Sequence, residues 1–183
     1  MSQTIAVIIP FFQRESGILT RALESIRRQK IPDGWFVEVI VVDDSSPCSA
    51  DDESRNLTFE GPFLLKVVRQ ENGGVAAARN RGLDEAPKDT SLIAFLDSDD
   101  IWPADHLARA INALTSGFDF YFTDNRRAGN HESYIRDCAI ETGRCIATAQ
   151  KQGNFFVIPP DRLLGLIVKE FPAQAPQWYI SGA

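Results

Sequence analysis

Asp97, Ser98, Asp99 and Asp100 close an apolar run, Ser91-Leu-Ile-Ala-Phe-Leu96. Three carboxylates in four residues cannot continue into a core unpaired. Asp97 and Asp99 stand two apart, so at the end of a strand both can turn toward one point. A hard divalent cation takes oxygen ligands of this kind, and a cation so held can clamp a diphosphate. A plainer alternative needs no ligand. Asp-Ser-Asp-Asp before Ile-Trp-Pro also fits a turn and a helix N-cap, with Pro103 in the first helical position, where acids suit the helix dipole.

Other apolar runs end in the same way. Ile5 to Ile9 stops at Pro10 and leads into Phe11-Phe12-Gln13-Arg14, Val37 to Val42 into Asp43-Asp44-Ser45-Ser46-Pro47, and Phe63 to Val68 into Arg69-Gln70-Glu71-Asn72-Gly73-Gly74. Brought to one edge, these residues describe a nucleotide site. Phe11 or Phe12 offers a flat face to a base, and Asp44 accepts from the N–H of a uracil ring. Gly73 and Gly74, in the turn with Asn72, let backbone approach the ligand, while Arg79 neutralises phosphate and Arg14 adds a second cation. Each role has a rival. Either Phe could pack under the following helix, an Asp could cap the Ser45-Ser46-Pro47 turn, and Arg79 could pair with Glu71 or Asp84. Placement together, more than any one residue, favours a ligand.

The elements that would place them alternate. Ile5–Ile9, Val37–Val42, Phe63–Val68 and Ser91–Leu96 are strands with little alternation, as in a sheet covered on both faces, and the aromatic Phe118–Phe122 is a fifth. Between them lie helices from about Glu15, at Val75–Ala86 and at Pro103–Leu114, with a helix or loop over Asp51–Gly61. Such alternation predicts an α/β fold, a mainly parallel Rossmann-like sheet flanked by helices on both faces, with ligands bound off the strands' carboxyl ends. Beyond Arg126 the pattern weakens. Tyr134–Ile140 and Arg144–Thr148 could pair as a hairpin, and Asp161–Lys169 has helical spacing. Residues 1–125 thus form one α/β half and 126–183 the start of a second, truncated one, since Gln177–Ala183 looks like a strand cut off before its partner.

A net charge of −6 argues against a nucleic-acid partner. Cys48, Cys138 and Cys145 form no CxxC pair, and His106 and His131 lie far apart, so the expectation is a reducing cytosol and no zinc site. No run of eighteen apolar residues and no signal-peptide pattern occurs, so no integral membrane segment is expected.

Four stretches in order, Val-Ile-Ile-Pro-Phe-Phe-Gln-Arg-Glu, Val-Ile-Val-Val-Asp-Asp-Ser-Ser-Pro, Asn-Gly-Gly-Val-Ala-Ala-Ala-Arg-Asn-Arg-Gly and Phe-Leu-Asp-Ser-Asp-Asp-Ile-Trp, resemble the motifs of family 2 glycosyltransferases from about Ile5 to Leu114. The resemblance implies a GT-A fold binding a nucleoside-diphosphate sugar, usually UDP-linked, with Mn²⁺ or Mg²⁺. By motif position Pro10 and Phe12 would line the base site, Asp44 would contact the base, and Arg79 would sit near the phosphates. Asp97 would face ribose and metal, and Asp99 would ligate the metal directly. With Arg14, Asn72 and Ser98 these complete the expected donor site.

Gln13 stands where the family commonly has Asn. The family's general base is absent from this stretch and is expected beyond Ala183, so the catalytic residue is unassigned. The implied reaction is inverting transfer to a saccharide or lipid-linked saccharide acceptor, in the cytoplasm or peripheral to a membrane. Two rival readings are a non-catalytic sugar-nucleotide-binding module and a phospho-acceptor signalling domain. In the latter, however, the Asp pair follows the first strand, not the second.

Overall fold

The computed structural model describes residues 2–123, 150–152, 155–157 and 179–181. The order is β1 (Gln3–Phe11), α1 (Ile18–Arg27), β2 (Trp35–Asp43), α2 (Ala50–Ser54), β3 (Phe63–Arg69), α3 (Gly74–Glu85), β4 (Leu92–Phe95), α4 (His106–Thr115), β5 (Phe120–Tyr121), β6 (Gln150–Gln152), β7 (Phe155–Val157) and β8 (Tyr179–Ser181). The chain forms two compact units. One comprises Met1–Tyr121 and Gln177–Ala183, the other Phe122–Pro176. Within the second, β6 and β7 pair antiparallel.

In the first unit the sheet order is β3-β2-β1-β4-β8-β5. β3, β2, β1 and β4 are parallel, and β8 runs antiparallel to both β4 and β5. The expected α/β architecture is therefore present. Starting at β1, the chain builds outward to β3 and then returns to place β4 on the other side. That reversal is a topological switch point between β1 and β4, where open α/β sheets bind ligands.

The core explains the strand sequences. Ile5, Ala6, Val7, Ile8 and Ile9 are all fully buried, as a strand covered on both faces requires. α3 lies against β1 and β2, with Ala78 packed among Ala6, Ile40 and Val42. The Ala-rich helix comes close for a steric reason: a Cβ at Gly82 would stand 2.3 Å from Ile8 Cγ2. β3 departs from expectation. It is the sheet edge, so Leu64 is exposed rather than covered.

Other boundaries shift for local reasons. α1 starts at Ile18, after Gly17 with φ of 85°. Its free N–H groups are taken by the Glu53 carboxylate of α2, which accepts from Gly17 N at 2.6 Å and Thr20 N at 3.2 Å. α4 begins at His106, three residues after Pro103. The fifth strand shrinks to Phe120–Tyr121. Tyr179–Ser181 is a strand, as expected, but finds partners in β4 and β5 within the chain. The expected hairpin over 134–148 and helix over 161–169 lie outside the described residues.

Candidate functional site

The acids after β2 are closed in. Asp43 and Asp44 are each about 3% exposed. Asp43 accepts from Ser46 N at 2.8 Å and Ala50 N at 3.1 Å, which shuts the β2–α2 turn and satisfies the start of α2. Asp44 Oδ1 accepts from Gln70 Nε2 at 2.7 Å and Gly73 N at 2.8 Å, and Oδ2 from Gly74 N at 2.8 Å. The backbone of Asp44 is held too. Its N–H donates to Phe11 O at 3.0 Å, and its carbonyl accepts from Asn72 Nδ2 at 2.9 Å.

Burial pushes the Asp44 pKa up, but the hydrogen bonds from Gly73, Gln70 and Gly74 outweigh it, and the net direction is down. The anion-binding start of α3 is therefore filled by a side chain of the protein itself. A carboxylate has about four acceptor positions, and three of those on Asp44 are used among the described residues.

The loop after β1 is tied to the same structure. Pro10 is buried in β1 opposite Val42. Phe11 is fully buried while Phe12 is 44% exposed, so Phe12 is the aromatic face available at the rim. Gln13 N donates to Ser46 Oγ at 2.8 Å, and that hydroxyl donates back to Gln13 O at 3.0 Å. Gln13 Nε2 reaches across to Ser98 Oγ at 3.2 Å, joining the loops after β1 and β4. Arg14 and Asn72 are exposed.

The acids after β4 are open. Asp97 Oδ1 is held at 2.7 Å by Arg79 Nη2 from α3, in a pair with side chains 24% (Arg79) and 33% (Asp97) exposed. Asp99 is exposed, and its carboxylate has no partner among the described residues. The turn forms, with Asp100 N donating to Asp97 O at 3.0 Å, but the N-cap alternative does not hold for Asp97 and Asp99, because α4 starts at His106 and its first turn is met by Gln29, just past the end of α1. Gln29 Oε1 accepts from Leu107 N at 2.9 Å, while Gln29 Nε2 donates to Pro103 O at 2.7 Å and Ser25 O at 3.1 Å. Between the acids and α4 in the chain, Trp102 donates its backbone N–H to Ser25 Oγ at 3.1 Å and stacks on His106 at 4.5 Å. Burial holds the His106 pKa down at about 3, so the ring is neutral.

Among the described residues no group of three or more His, Cys, Asp or Glu side chains converges as a metal cage. Asp99 and the second oxygen of Asp97 are carboxylate oxygens, the donor chemistry that a hard cation such as Mg²⁺ takes together with phosphate oxygens and water. A cavity of about 460 Å³ elsewhere is lined by Ser16, Thr20, Cys48, Glu53 and others, and none of the expected site residues lines it. The ties made by Ser46, Gln70 and Gln29 were not foreseen in the sequence. The one available signal was that Gln70 follows β3 directly, beside the end of β2.

The model of "Glycosyl transferase family 2" matches residues 6–159. The chain is 46% identical over 111 residues to the succinoglycan biosynthesis protein ExoW of Rhizobium meliloti, covering 61% of this chain and 34% of that protein. It is 34% identical over 116 residues to the minor teichoic acid biosynthesis protein GgaA of Bacillus subtilis, covering 63% and 24%. It thus spans about a third or less of the length of these relatives. Among solved structures, S. aureus TarS 1–349 in complex with UDP-GlcNAc matches with a TM-score of 0.57 and 26% identity, over 71% of this chain and 37% of that one. The mannosyltransferase PcManGT from Pyrobaculum calidifontis, in complex with GDP-Man and Mn²⁺, matches with a TM-score of 0.59 and 27% identity, over 69% and 36%.

Proposed function

The chain belongs to glycosyltransferase family 2 and has the GT-A fold, and from that premise we propose that it forms the donor-binding part of an enzyme transferring sugar from a nucleoside-diphosphate sugar, UDP-linked, to a hydroxyl acceptor. The observation that carries this reading is the contrast at the rim. Beside a tightly bonded frame stand Phe12, Arg79, Asp97 and Asp99 with unspent bonding capacity, at the switch point between β1 and β4.

In this reading Phe12 stacks on the base and the remaining acceptor position of Asp44 takes a base N–H. Asp97 and Ser98 face the ribose, with Arg14 and Asn72 at the exposed margin. Asp99 and Asp97 hold Mn²⁺ or Mg²⁺. Such a cation, when bound, supplies positive charge that stabilises the leaving diphosphate. Arg79 lies within reach of the same charge. The acceptor, a saccharide or lipid-linked saccharide, attacks the anomeric carbon opposite the diphosphate and so inverts it, its hydroxyl proton passing to a general base these residues do not identify.

The matched proteins support the class, since two solved neighbours are complexes with UDP-GlcNAc and with GDP-Man and Mn²⁺. No helix among the described residues is long and apolar enough to cross a membrane. In the proposed reading the enzyme lies in the cytoplasm, peripheral to a membrane where the acceptor is lipid-linked. Calorimetric titration of UDP and of GDP with Mn²⁺, repeated in EDTA, tests the proposal. Binding of UDP that EDTA abolishes is the expected result. Absence of nucleotide binding in both conditions would refute the reading, and preferential binding of GDP would overturn the choice of base.

A further inference from the structure

We propose that Arg79 makes cation binding at Asp97 and Asp99 conditional on the diphosphate, so that metal and nucleotide bind cooperatively through this one guanidinium. The inference rests on the donor-site reading above and adds an order of events to it.

The Arg79–Asp97 pair differs from most ion pairs nearby. Arg28–Glu24, Arg81–Glu85 and Arg109–Asp105 are i,i+4 pairs along their own helices. Arg79 instead reaches from α3 to the turn after β4 and takes Asp97 Oδ1 at 2.7 Å. Among the described residues it does so with a single N–H of the five a guanidinium carries, and its buried Nε–H has no hydrogen-bond partner there. The pair therefore leaves Arg79 under-used while occupying an oxygen a hard cation would need.

The seat of Arg79 is fixed. Its neighbour Ala78 is fully buried against the sheet, and one turn on Gly82 sits directly over Ile8. Arg79 cannot shed its charge, because guanidinium stays protonated at any pH the fold tolerates. Without a ligand, Arg79 thus holds half of Asp97 and repels a second positive charge brought to the same carboxylates. A diphosphate reverses both effects. Its oxygens match the planar fork of the guanidinium and satisfy the unspent N–H groups, drawing Arg79 off Asp97 Oδ1. Its negative charge also offsets the repulsion.

Linkage requires the effect to be reciprocal, so nucleotide raises metal affinity by the factor by which metal raises nucleotide affinity. The test is calorimetric: MnCl₂ is titrated into the chain without nucleotide, and UDP is titrated in saturating Mn²⁺. Wild type, Arg79→Met, Arg79→Gln and Arg79→Lys are compared, with urea midpoints confirming that each is folded. For the two neutral variants the effects should oppose. Mn²⁺ alone should bind about 10-fold tighter than in wild type and UDP in Mn²⁺ about 10-fold weaker, within the usual range of coupling between sites. Arg79→Lys, which keeps the charge, should stay near wild type for Mn²⁺ alone. A purely structural role would weaken both. If the wild type binds UDP with Mn²⁺ but the neutral variants bind Mn²⁺ alone no better, the coupling is refuted and the donor site stands. Failure of the wild type to bind UDP with Mn²⁺ would overturn the donor-site reading and this inference with it.

Discussion

Two acid pairs stand at the carboxyl ends of the two parallel strands that flank β1, and they are used in opposite ways. Asp43 and Asp44, after β2, are buried and accept five hydrogen bonds from Ser46, Ala50, Gln70, Gly73 and Gly74. Asp97 and Asp99, after β4, share one side-chain bond, from Arg79, and Asp99 is exposed. The difference teaches that an Asp at a strand's carboxyl end is not by itself a ligand. In the first pair the carboxylates are consumed in building the rim, apart from one acceptor position on Asp44. In the second, Asp99 and one oxygen of Asp97 take no hydrogen bond among the described residues, and these are the groups the proposed donor site would use.

Removing one acid from each pair should separate the two uses most sharply. Asp44→Ala strands the N–H groups of Gly73 and Gly74 and the Gln70 amide, so it should cost about 3 kcal/mol or more of stability. Asp99→Ala, on the open side, should stay within about 0.5 kcal/mol. Urea midpoints check both, and equal losses would erase the contrast.

Acid titration sharpens the comparison through His106, in the helix that follows the open pair. His106 has its folded pKa pushed to about 3 by burial, below the unfolded value near 6.5. Between those values the unfolded chain binds the extra proton. Stability should therefore fall as pH drops through this window, by up to about 1.4 kcal/mol per pH unit. His106→Phe, which keeps a ring against Trp102, should flatten the slope between pH 6.5 and 5. The lowered pKa of Asp44 acts lower down: its contribution is present above the unfolded carboxylate value and is lost as pH falls through the folded one. A slope unchanged in the Phe variant would show that His106 is not its source.

The smallest effect belongs to the tie between the two halves. Gln13 spans from the clasped Ser46 to Ser98 beside the open acids. Gln13→Ala should cost about 1 kcal/mol by urea denaturation. Gln13→Asn, shorter by a methylene, should recover only part of it, and full recovery would mean the reach to Ser98 carries no weight.

Much of this was legible in the sequence. Apolar runs at Ile5–Ile9 and, interrupted only by Glu38, at Val37–Val42 named strands covered on both faces, and four rim motifs in order carried the family. What stayed hidden depended on partners distant in the chain. Asp44 and Asp99 look alike in sequence, and only the fold sets Gln70, Gly73 and Gly74 around one of them, 26 to 30 residues away. The start of α4 was misplaced because its cap comes from Gln29, 78 residues before Leu107. Phe11 and Phe12 were indistinguishable until β1 was seen to end at Phe11, which leaves the second ring outside the core. β3 carries the composition of an interior strand, and local sequence does not say that it closes the sheet.

The central claim, that the open acids hold a metal-dependent nucleotide while the closed acids hold the frame, is tested most directly by titrating UDP in Mn²⁺ into wild type and Asp99→Asn side by side. The account predicts that the variant keeps its urea midpoint and loses UDP affinity by about 10-fold or more, the scale expected when a metal site is disabled. Equal affinity in the two proteins would contradict it.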